Sequence, residues 1–286
     1  MDISVVVPFY KGNRYMERIF RVIRENALNV PESEIELIIV NDSPEYDVEY
    51  ENAWIDERFT LKIVKNPRNL GIHGSRVQGI RVAEGEFVQL LDQDDILMED
   101  AFASQLAVIG EGDLVVANGY DESEISPGPI YESLSQQRMV LEEKYYYSIG
   151  NMIPSPGQCL LRKTIIPSEW LDNPIHCNGS DDLLLWLLLF KTKCKWKINE
   201  KQLYVHVNTG TNFSMDFQKM RQSSEEVLYF LKERNMISAG QEKKFVRRFN
   251  MRALYEGKGK IAKIKAMLLF PDLMYDLLMK RLRKGS

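Results

Sequence analysis

Three carboxylates fall within four residues at Asp92-Gln93-Asp94-Asp95, directly after the apolar run Phe87-Val88-Gln89-Leu90-Leu91. Like charges crowded this closely repel, and burying them is costly unless a cation is present. A hard divalent ion, Mn²⁺ or Mg²⁺, takes one or two carboxylates and completes its shell largely from substrate phosphates and water. The same acids would also suit the positive end of a helix. The strand that runs straight into them favours a site.

Four further segments carry candidate chemistry. Asp42 ends the apolar run Glu36-Leu37-Ile38-Ile39-Val40-Asn41-Asp42; it could accept hydrogen bonds from a base or ribose edge, or simply shape a turn. The loop Asn66-Pro67-Arg68-Asn69-Leu70-Gly71-Ile72-His73-Gly74-Ser75-Arg76 feeds a helix. A helix N-terminus together with the Arg76 guanidinium suits a diphosphate. Its glycines do not form GxGxxG, so a dinucleotide site is not indicated. Gly179-Ser180-Asp181-Asp182 precedes Leu183-Leu184-Leu185-Trp186; either the acids cap that helix, with Ser180 as N-cap, or one of them is a general base over a cleft. His206, in Tyr204-Val205-His206-Val207-Asn208 before Asn212-Phe213-Ser214, could ligate a metal, touch a phosphate or serve only the structure.

The elements that must position these residues are legible in the first 120 positions. Buried strands are expected at 3–7, closed by Pro8, and at 36–40, 61–64, 87–91 and 114–117, with helices near 14–24, 75–83 and after Met98. This alternation predicts an α/β protein with a mostly parallel central sheet covered by helices. In such sheets ligands sit beyond the carboxyl ends of the strands, where Asp42 and the Asp92 cluster lie. Farther on, 121–137 reads as a polar loop, 153–158 as a turn before a short strand, 180–190 as an apolar helix and 203–207 as a strand. Amphipathic helices follow at 217–234 and 241–252.

Composition is that of a soluble globular chain: 286 residues, 44% hydrophobic and 27% charged. Three cysteines without CxxC spacing argue against a disulfide framework or structural zinc and point to a reducing, cytoplasmic setting. Met1-Asp2-Ile3-Ser4 runs into a strand without a basic stretch or cleavage site, so no secretory signal is expected. The longest apolar run, 183–190, is far short of the roughly 20 residues of a spanning helix. Charge is uneven. Residues 241–286 hold 13 Lys and Arg against 4 Asp and Glu, net +9, which leaves −13 on the preceding 240 residues for the overall −4. Lys243, Lys244, Arg247, Arg248, Arg252, Lys258, Lys260, Lys263 and Lys265 stand beside Ala266-Met267-Leu268-Leu269-Phe270 and Leu273–Met279, before Lys280-Arg281-Leu282-Arg283-Lys284. Basic residues beside apolar stretches suit peripheral adsorption to an anionic membrane at the inner face of the cell; helices packed on the main domain with solvated basic faces are the other reading. These basic residues lack the aromatic interleaving of a nucleic-acid platform, so no nucleic-acid partner is expected.

Taken in order, Val5-Val6-Val7-Pro8-Phe9-Tyr10, Val40-Asn41-Asp42-Ser43, Asn69-Leu70-Gly71 with Arg76, Leu91-Asp92-Gln93-Asp94-Asp95 and Asp181-Asp182 before Trp186 resemble glycosyltransferase family 2, over roughly residues 3–215. The resemblance implies the GT-A fold and an inverting, metal-dependent transfer of sugar from a nucleotide-sugar donor, with UDP the first choice. A hydroxyl of a glycan or lipid-linked saccharide would accept it, in cell-surface polysaccharide biosynthesis. It implies a catalytic domain at 1–215, with a nucleotide-binding half at about 1–118 and an acceptor-binding half at about 119–215, followed by a helical basic region at 216–286. By position, Pro8, Tyr10, Asp42 and Asn69 would line the nucleotide pocket, with Arg76 near the nucleotide. Asp92 would touch the ribose or a metal-bound water, and Asp94 would hold the metal bridging the diphosphate. Asp182 would be the general base, and His206 would assist metal or diphosphate. Asp181 replaces the family's Glu, Gln93 replaces its usual Ser or Ala, and Leu187–Leu189 occupy the stretch where the family carries a later Arg. The alternatives are a sugar-1-phosphate nucleotidyltransferase, for which Pro8-Phe9-Tyr10-Lys11-Gly12 is a poor triphosphate loop, and a non-catalytic nucleotide- or carbohydrate-binding module.

Overall fold

Continuous aliphatic runs become strands buried on both faces, as a parallel sheet requires. Every residue of β1 (Ile3–Phe9) and β2 (Ile35–Asn41) is buried. With β3 (Phe59–Lys65) and β4 (Phe87–Leu90) they form a parallel set in the order β3-β2-β1-β4. Helix α1 (Met16–Leu28) links β1 to β2, and α2 (Gly71–Val82) links β3 to β4. The computed structural model describes residues 1–55, 57–122, 127–210, 216–255 and 259–285; the expected Asn212-Phe213-Ser214 loop lies outside them.

Pro8, expected to close the first strand, lies inside it opposite Val40. The carbonyl of Val6 bonds toward β4 through Leu91 N–H at 3.0 Å, and pairing with β4 ends at Val6. Residues 6 and 8 face the same neighbour, so the N–H that Pro8 lacks would have no partner there.

Beyond β4 the chain forms β5 (Ile96–Leu97), α3 (Ala101–Ile109), β6 (Leu114–Asp121), β7 (Gly128–Pro129), α4 (Leu134–Gln137) and α5 (Glu143–Ser148). Then come β8 (Cys159–Arg162), α6 (Ser168–Asp172), α7 (Asp181–Leu189) and β9 (Trp196–His206). Strand β8 runs antiparallel between β4 and β6, so the fifth strand in sequence is not the fifth in the sheet. Strand β9 is parallel to β6, while β5 and β7 pair antiparallel at that end.

Alternation along β1 sends Val5 and Val7 to one hydrophobic cluster, with Leu37 and Ile39, and Val6 to the other, with Ile38, Val40, Val88 and Leu90. Gly79 of α2 lets that helix sit on the sheet: a Cβ there would lie 2.2 Å from Val6 Cγ1. All nine residues of α7 are buried, which suits a helix apolar on every side.

The C-terminal stretch forms α8 (Phe217–Glu233), α9 (Ala239–Tyr255), α10 (Lys260–Leu269) and α11 (Pro271–Leu282). The boundary at 215 that the resemblance implies is crossed by the core. Val227, Leu231, Phe245 and Phe249 belong to the same cluster as Tyr146, Leu183 and Trp186. Part of the basic surplus is engaged internally: Arg247 makes a two-pronged pair with Asp272 at 2.7 and 2.8 Å, Arg283 meets Glu142 at 3.2 Å, and Lys284 pairs with Glu132. No helix among the described residues is long and apolar enough to cross a membrane.

Candidate active site

The strand ends, the α2 loop, the start of α7 and the helices α8 and α9 enclose one cleft of about 1190 Å³. Pro8, Tyr10, Asp42, Asn69, Arg76, Asp92, Asp94, Asp181, Asp182 and His206 all line it. Residues far apart in sequence are thus brought to one place.

Each of these side chains has a local reason for its position. The Asp42 carboxylate accepts from Asn66 Nδ2 (2.8 Å), Leu70 N (2.7 Å) and Gly71 N (2.9 Å). Both of its oxygens therefore hold the loop that enters α2. That loop can turn there because Gly71 takes φ +76°, a conformation open to glycine. Asn178 Oδ1 accepts from Ile72 N at 3.0 Å and ties the same loop to the α7 side. Asp42, expected to meet a base or ribose, shapes the pocket wall in this structure. Tyr10 is half exposed at the mouth, and its backbone is clipped to Gln93 by two bonds: Tyr10 N donates to Gln93 Oε1 (2.9 Å) and Gln93 Nε2 donates to Tyr10 O (3.2 Å). Gln93 thereby locks the end of β1 to the acidic segment.

The acidic segment does not converge on one point. Asp92 pairs with Arg76 Nη2 at 2.5 Å. Asp95 is buried, accepting from Tyr204 Oη and from Val207 N (3.1 Å), with His206 Nδ1 at 3.3 Å. Asp94 alone makes no ion pair among the described residues, while Arg18 Nη2 holds its backbone carbonyl at 2.7 Å. Burial, then the charges of Asp92 and Asp95, push the Asp94 carboxyl up to about 6. Among the described residues no three His, Cys, Asp or Glu groups are placed to hold a metal. A cation bound mainly by phosphate oxygens needs only one or two carboxylates, and Asp94 is the acid whose unrelieved repulsion such an ion would remove. Its donor set fits that kind of site. His206, expected as a possible ligand, turns Nδ1 toward Asp95, which raises its pKa to about 9. A metal at this ring would have to displace that proton.

Arg76, expected beside the diphosphate, is buried between two carboxylates. Its Nη1 reaches Asp181 Oδ2 at 2.6 Å while Nη2 reaches Asp92. It joins the acidic segment after β4 to the start of α7. Ser180 does not cap α7 with its side chain; its hydroxyl pairs with Ser224 of α8 at 2.9 Å. Asp181 and Asp182 are neighbours with opposite fates. Both suffer desolvation, but Arg76 holds Asp181 below the usual carboxylate range. Burial and then the negative Asp181 push Asp182 up to about 8, against hydrogen bonds from Leu183 N (2.6 Å) and Asn151 Nδ2 (2.6 Å).

Asn151, Asn178, Gln93 and the arginines Arg248 and Arg252 are cleft residues that the sequence did not single out as a site. Gln93 stood out only as a departure from family usage, and the arginines only as part of a basic run. Nothing in the local pattern around Asn151 distinguishes it from a loop asparagine.

A sheet whose parallel half carries the loop–helix turn at Gly71, with an acidic segment after β4 and a paired acid at the start of α7, is the GT-A fold. The description "glycosyl transferase family 2" matches residues 4–167, more than half of the 286. The chain belongs to glycosyl transferase family 2. It is 29% identical over 153 residues to the glycosyltransferase GlyG of Streptococcus pneumoniae, covering 52% of this chain and 49% of that one. To the putative glycosyltransferase EpsH of Bacillus subtilis it is 28% identical over 183 residues, 61% and 51% of the two chains. The chain spans about half the length of these relatives. Staphylococcus aureus TarS 1–349, solved in complex with UDP-GlcNAc, shares the fold with a TM-score of 0.65 at 14% identity, over 96% of this chain and 81% of that one.

Proposed function

We propose that the protein is an inverting glycosyltransferase that moves a sugar from a UDP-sugar to a hydroxyl of a glycan or lipid-linked saccharide in cell-surface polysaccharide biosynthesis. One observation carries the reading. Two adjacent buried acids have pKa values driven apart, Asp181 down and Asp182 up, in the same cleft as Asp94. Groups with separated pKa values in one cleft mark acid–base roles, and a base poised near neutral pH is the effective kind.

In this reading Asp182 takes the proton of the acceptor hydroxyl as its oxygen bonds to the anomeric carbon. The bond from that carbon to the diphosphate oxygen breaks on the opposite face, which inverts the centre. Asn151 orients Asp182, and the Arg76-bound Asp181 keeps it basic. Asp94 would hold a Mn²⁺ or Mg²⁺ ion, which when bound neutralises charge on the leaving diphosphate. Pro8, Tyr10, Asn69 and the loop held by Asp42 would wall the nucleotide. TarS is named as a poly(ribitol-phosphate) β-N-acetylglucosaminyltransferase, and it is 27% identical to this chain over 190 residues; UDP-GlcNAc is the first donor to try.

The test is a melting-temperature panel of sugar nucleotides with MnCl₂ or MgCl₂, with and without excess chelator. A UDP-sugar at about 100 times its Kd should stabilise by about 2.7 kcal/mol. That shift should vanish with chelator and in Asp94→Ala. Equal stabilisation with chelator present would count against the metal, and no response to any sugar nucleotide would end the donor reading. Nucleotidyl transfer, the alternative, would instead need a response to a nucleoside triphosphate with a sugar phosphate.

We also propose peripheral contact with the inner face of an anionic membrane. Helices α10 and α11 expose Ile261, Ile264, Leu268, Leu269, Tyr275 and Leu282, with Leu268 at 75% and Ile261 at 71% exposure. Apolar side chains beside lysines are what an interfacial helix presents to lipid.

A further inference from the structure

Helices α8 and α9 give the cleft a flank that sugar transfer as described leaves unused, lined by Arg221, Ser224, Arg248, Phe249 and Arg252. Arg248 is only 2% exposed, yet it has no carboxylate partner among the described residues. Its Nη1 donates to the Tyr146 carbonyl at 2.5 Å, and its guanidinium lies 4.3 Å from the Phe245 ring centre and 5.1 Å from that of Phe249. One turn on stands a second cation, the exposed Arg252. Burial, then the like charge of Arg252, push the Arg248 guanidinium down to about 9, so it is still charged at neutral pH. A buried charge without a counter-charge is costly, and a second cation beside it adds to the cost.

Both guanidiniums close on bare backbone at Gly150. A Cβ there would lie 3.6 Å from Arg248 Nη1 and 3.8 Å from Arg252 Nη2, and Gly150 has φ +123°. The next residue is Asn151, which holds Asp182. The pair therefore meets the cleft beside the proposed base, not at the β1–β4 ends that would wall the nucleotide. Guanidiniums recognise phosphate through paired N–H bonds, and the several oxygens of one phosphate can serve two of them.

We propose that Arg248 and Arg252 form a phosphate-binding subsite for the acceptor, which makes the acceptor a phosphate- or phosphodiester-bearing glycan or lipid. This rests on the glycosyltransferase reading above. The other source of the same chemistry is the donor's own diphosphate.

The probe is inorganic phosphate, titrated into the full chain at constant ionic strength against acetate, with melting temperature as readout, alone and with saturating UDP and MgCl₂. Arg252→Gln changes an exposed side chain and supplies the baseline for the non-specific effect of phosphate on any fold. Phosphate should stabilise the parent beyond that baseline, also when UDP is bound, and its affinity should fall about tenfold or more in Arg252→Gln. Arg248→Met should lose the response while melting, without phosphate, at or above the parent temperature. A parent that responds to phosphate no more than Arg252→Gln, or equally to acetate, overturns the subsite. If UDP still stabilises that parent, the glycosyltransferase reading stands; if UDP does not, both fall. A phosphate response abolished by UDP assigns the arginines to the donor diphosphate and overturns the acceptor class.

Discussion

Arg76 Nη1 lies 2.6 Å from Asp181 Oδ2, a fully buried contact that joins the second turn of α2 to the first turn of α7. The other prong of the same guanidinium reaches Asp92 at 2.5 Å. One side chain therefore links the acidic segment to the paired acids across the cleft. Arg76→Met leaves two acids without their counter-charge, and breaking a buried ion pair this way costs about 3–5 kcal/mol. We expect a large drop in melting temperature and loss of turnover. Arg76→Lys should recover only part of either, because an ammonium lacks the fork that reaches both acids. Parent-like melting and turnover in Arg76→Lys would show that the two-pronged geometry does not matter.

Asp182→Asn should lower turnover by about 10²–10⁴-fold, the usual contribution of a general base, while leaving donor binding near the parent value. Because the base acts unprotonated and its pKa is raised to about 8, activity should climb with pH up to that region. Asn151→Leu removes a donor that favours the ionised form, so the acid limb should move to higher pH. The same shift has a stability sign. Between its ordinary 3.8 and about 8, the folded chain holds a proton that the unfolded chain has released, so folding weakens as pH rises through this window. Asp182→Asn removes that slope and should melt higher than the parent at alkaline pH. A pH–rate profile of Asn151→Leu that superimposes on the parent's would remove Asn151 from the mechanism.

Gly79→Ala should destabilise by about 1–3 kcal/mol, since its Cβ meets Val6 and Val40 in a closed interface between helix and sheet. Gly240→Ala is the control: nothing lies within 4 Å of its Cβ, and it should melt at or slightly above the parent. Equal melting of the two variants would mean that α2 does not rest on β1 as described.

Co-sedimentation with liposomes of anionic lipid tests the C-terminal surface. Truncation at 241 is unsuitable, because Phe245, Arg248 and Phe249 of α9 belong to the core and the cleft. The paired change Ile261→Glu with Leu268→Glu alters only exposed side chains and should reduce sedimentation strongly. Unchanged sedimentation would end the membrane proposal.

The first 120 residues were readable because their elements follow local rules. Uninterrupted aliphatic runs made β1 and β2, and the order of Asp42, Arg76, Asp92 and Asp182 carried the family resemblance. The boundaries of α2 were less legible. Its first turn begins at Gly71, inside what reads as a loop, because Asp42 caps it from another strand. The place of β8 between β4 and β6 was also hidden, since strand order depends on crossovers and not on the strand's own residues.

By itself the sequence determined which acids the cleft would contain, because Asp42 and the 92–95 segment follow strands, Asp181 and Asp182 open an apolar helix, and both kinds of element follow from hydrophobic pattern. Only the tertiary structure decided what each acid does. Arg76 pairs with Asp181 and Asp92, Tyr204 and His206 take Asp95, Asp94 and Asp182 make no ion pair among the described residues, and burial raises the pKa values of Asp92, Asp94 and Asp182. Charge in a protein is set by what packs against it, and those partners come from elements that no local pattern connects. Arg248 shows the same thing: in sequence it is one basic residue in a basic run, and in the fold it is a buried cation against Gly150, the residue before the asparagine that bonds the proposed base.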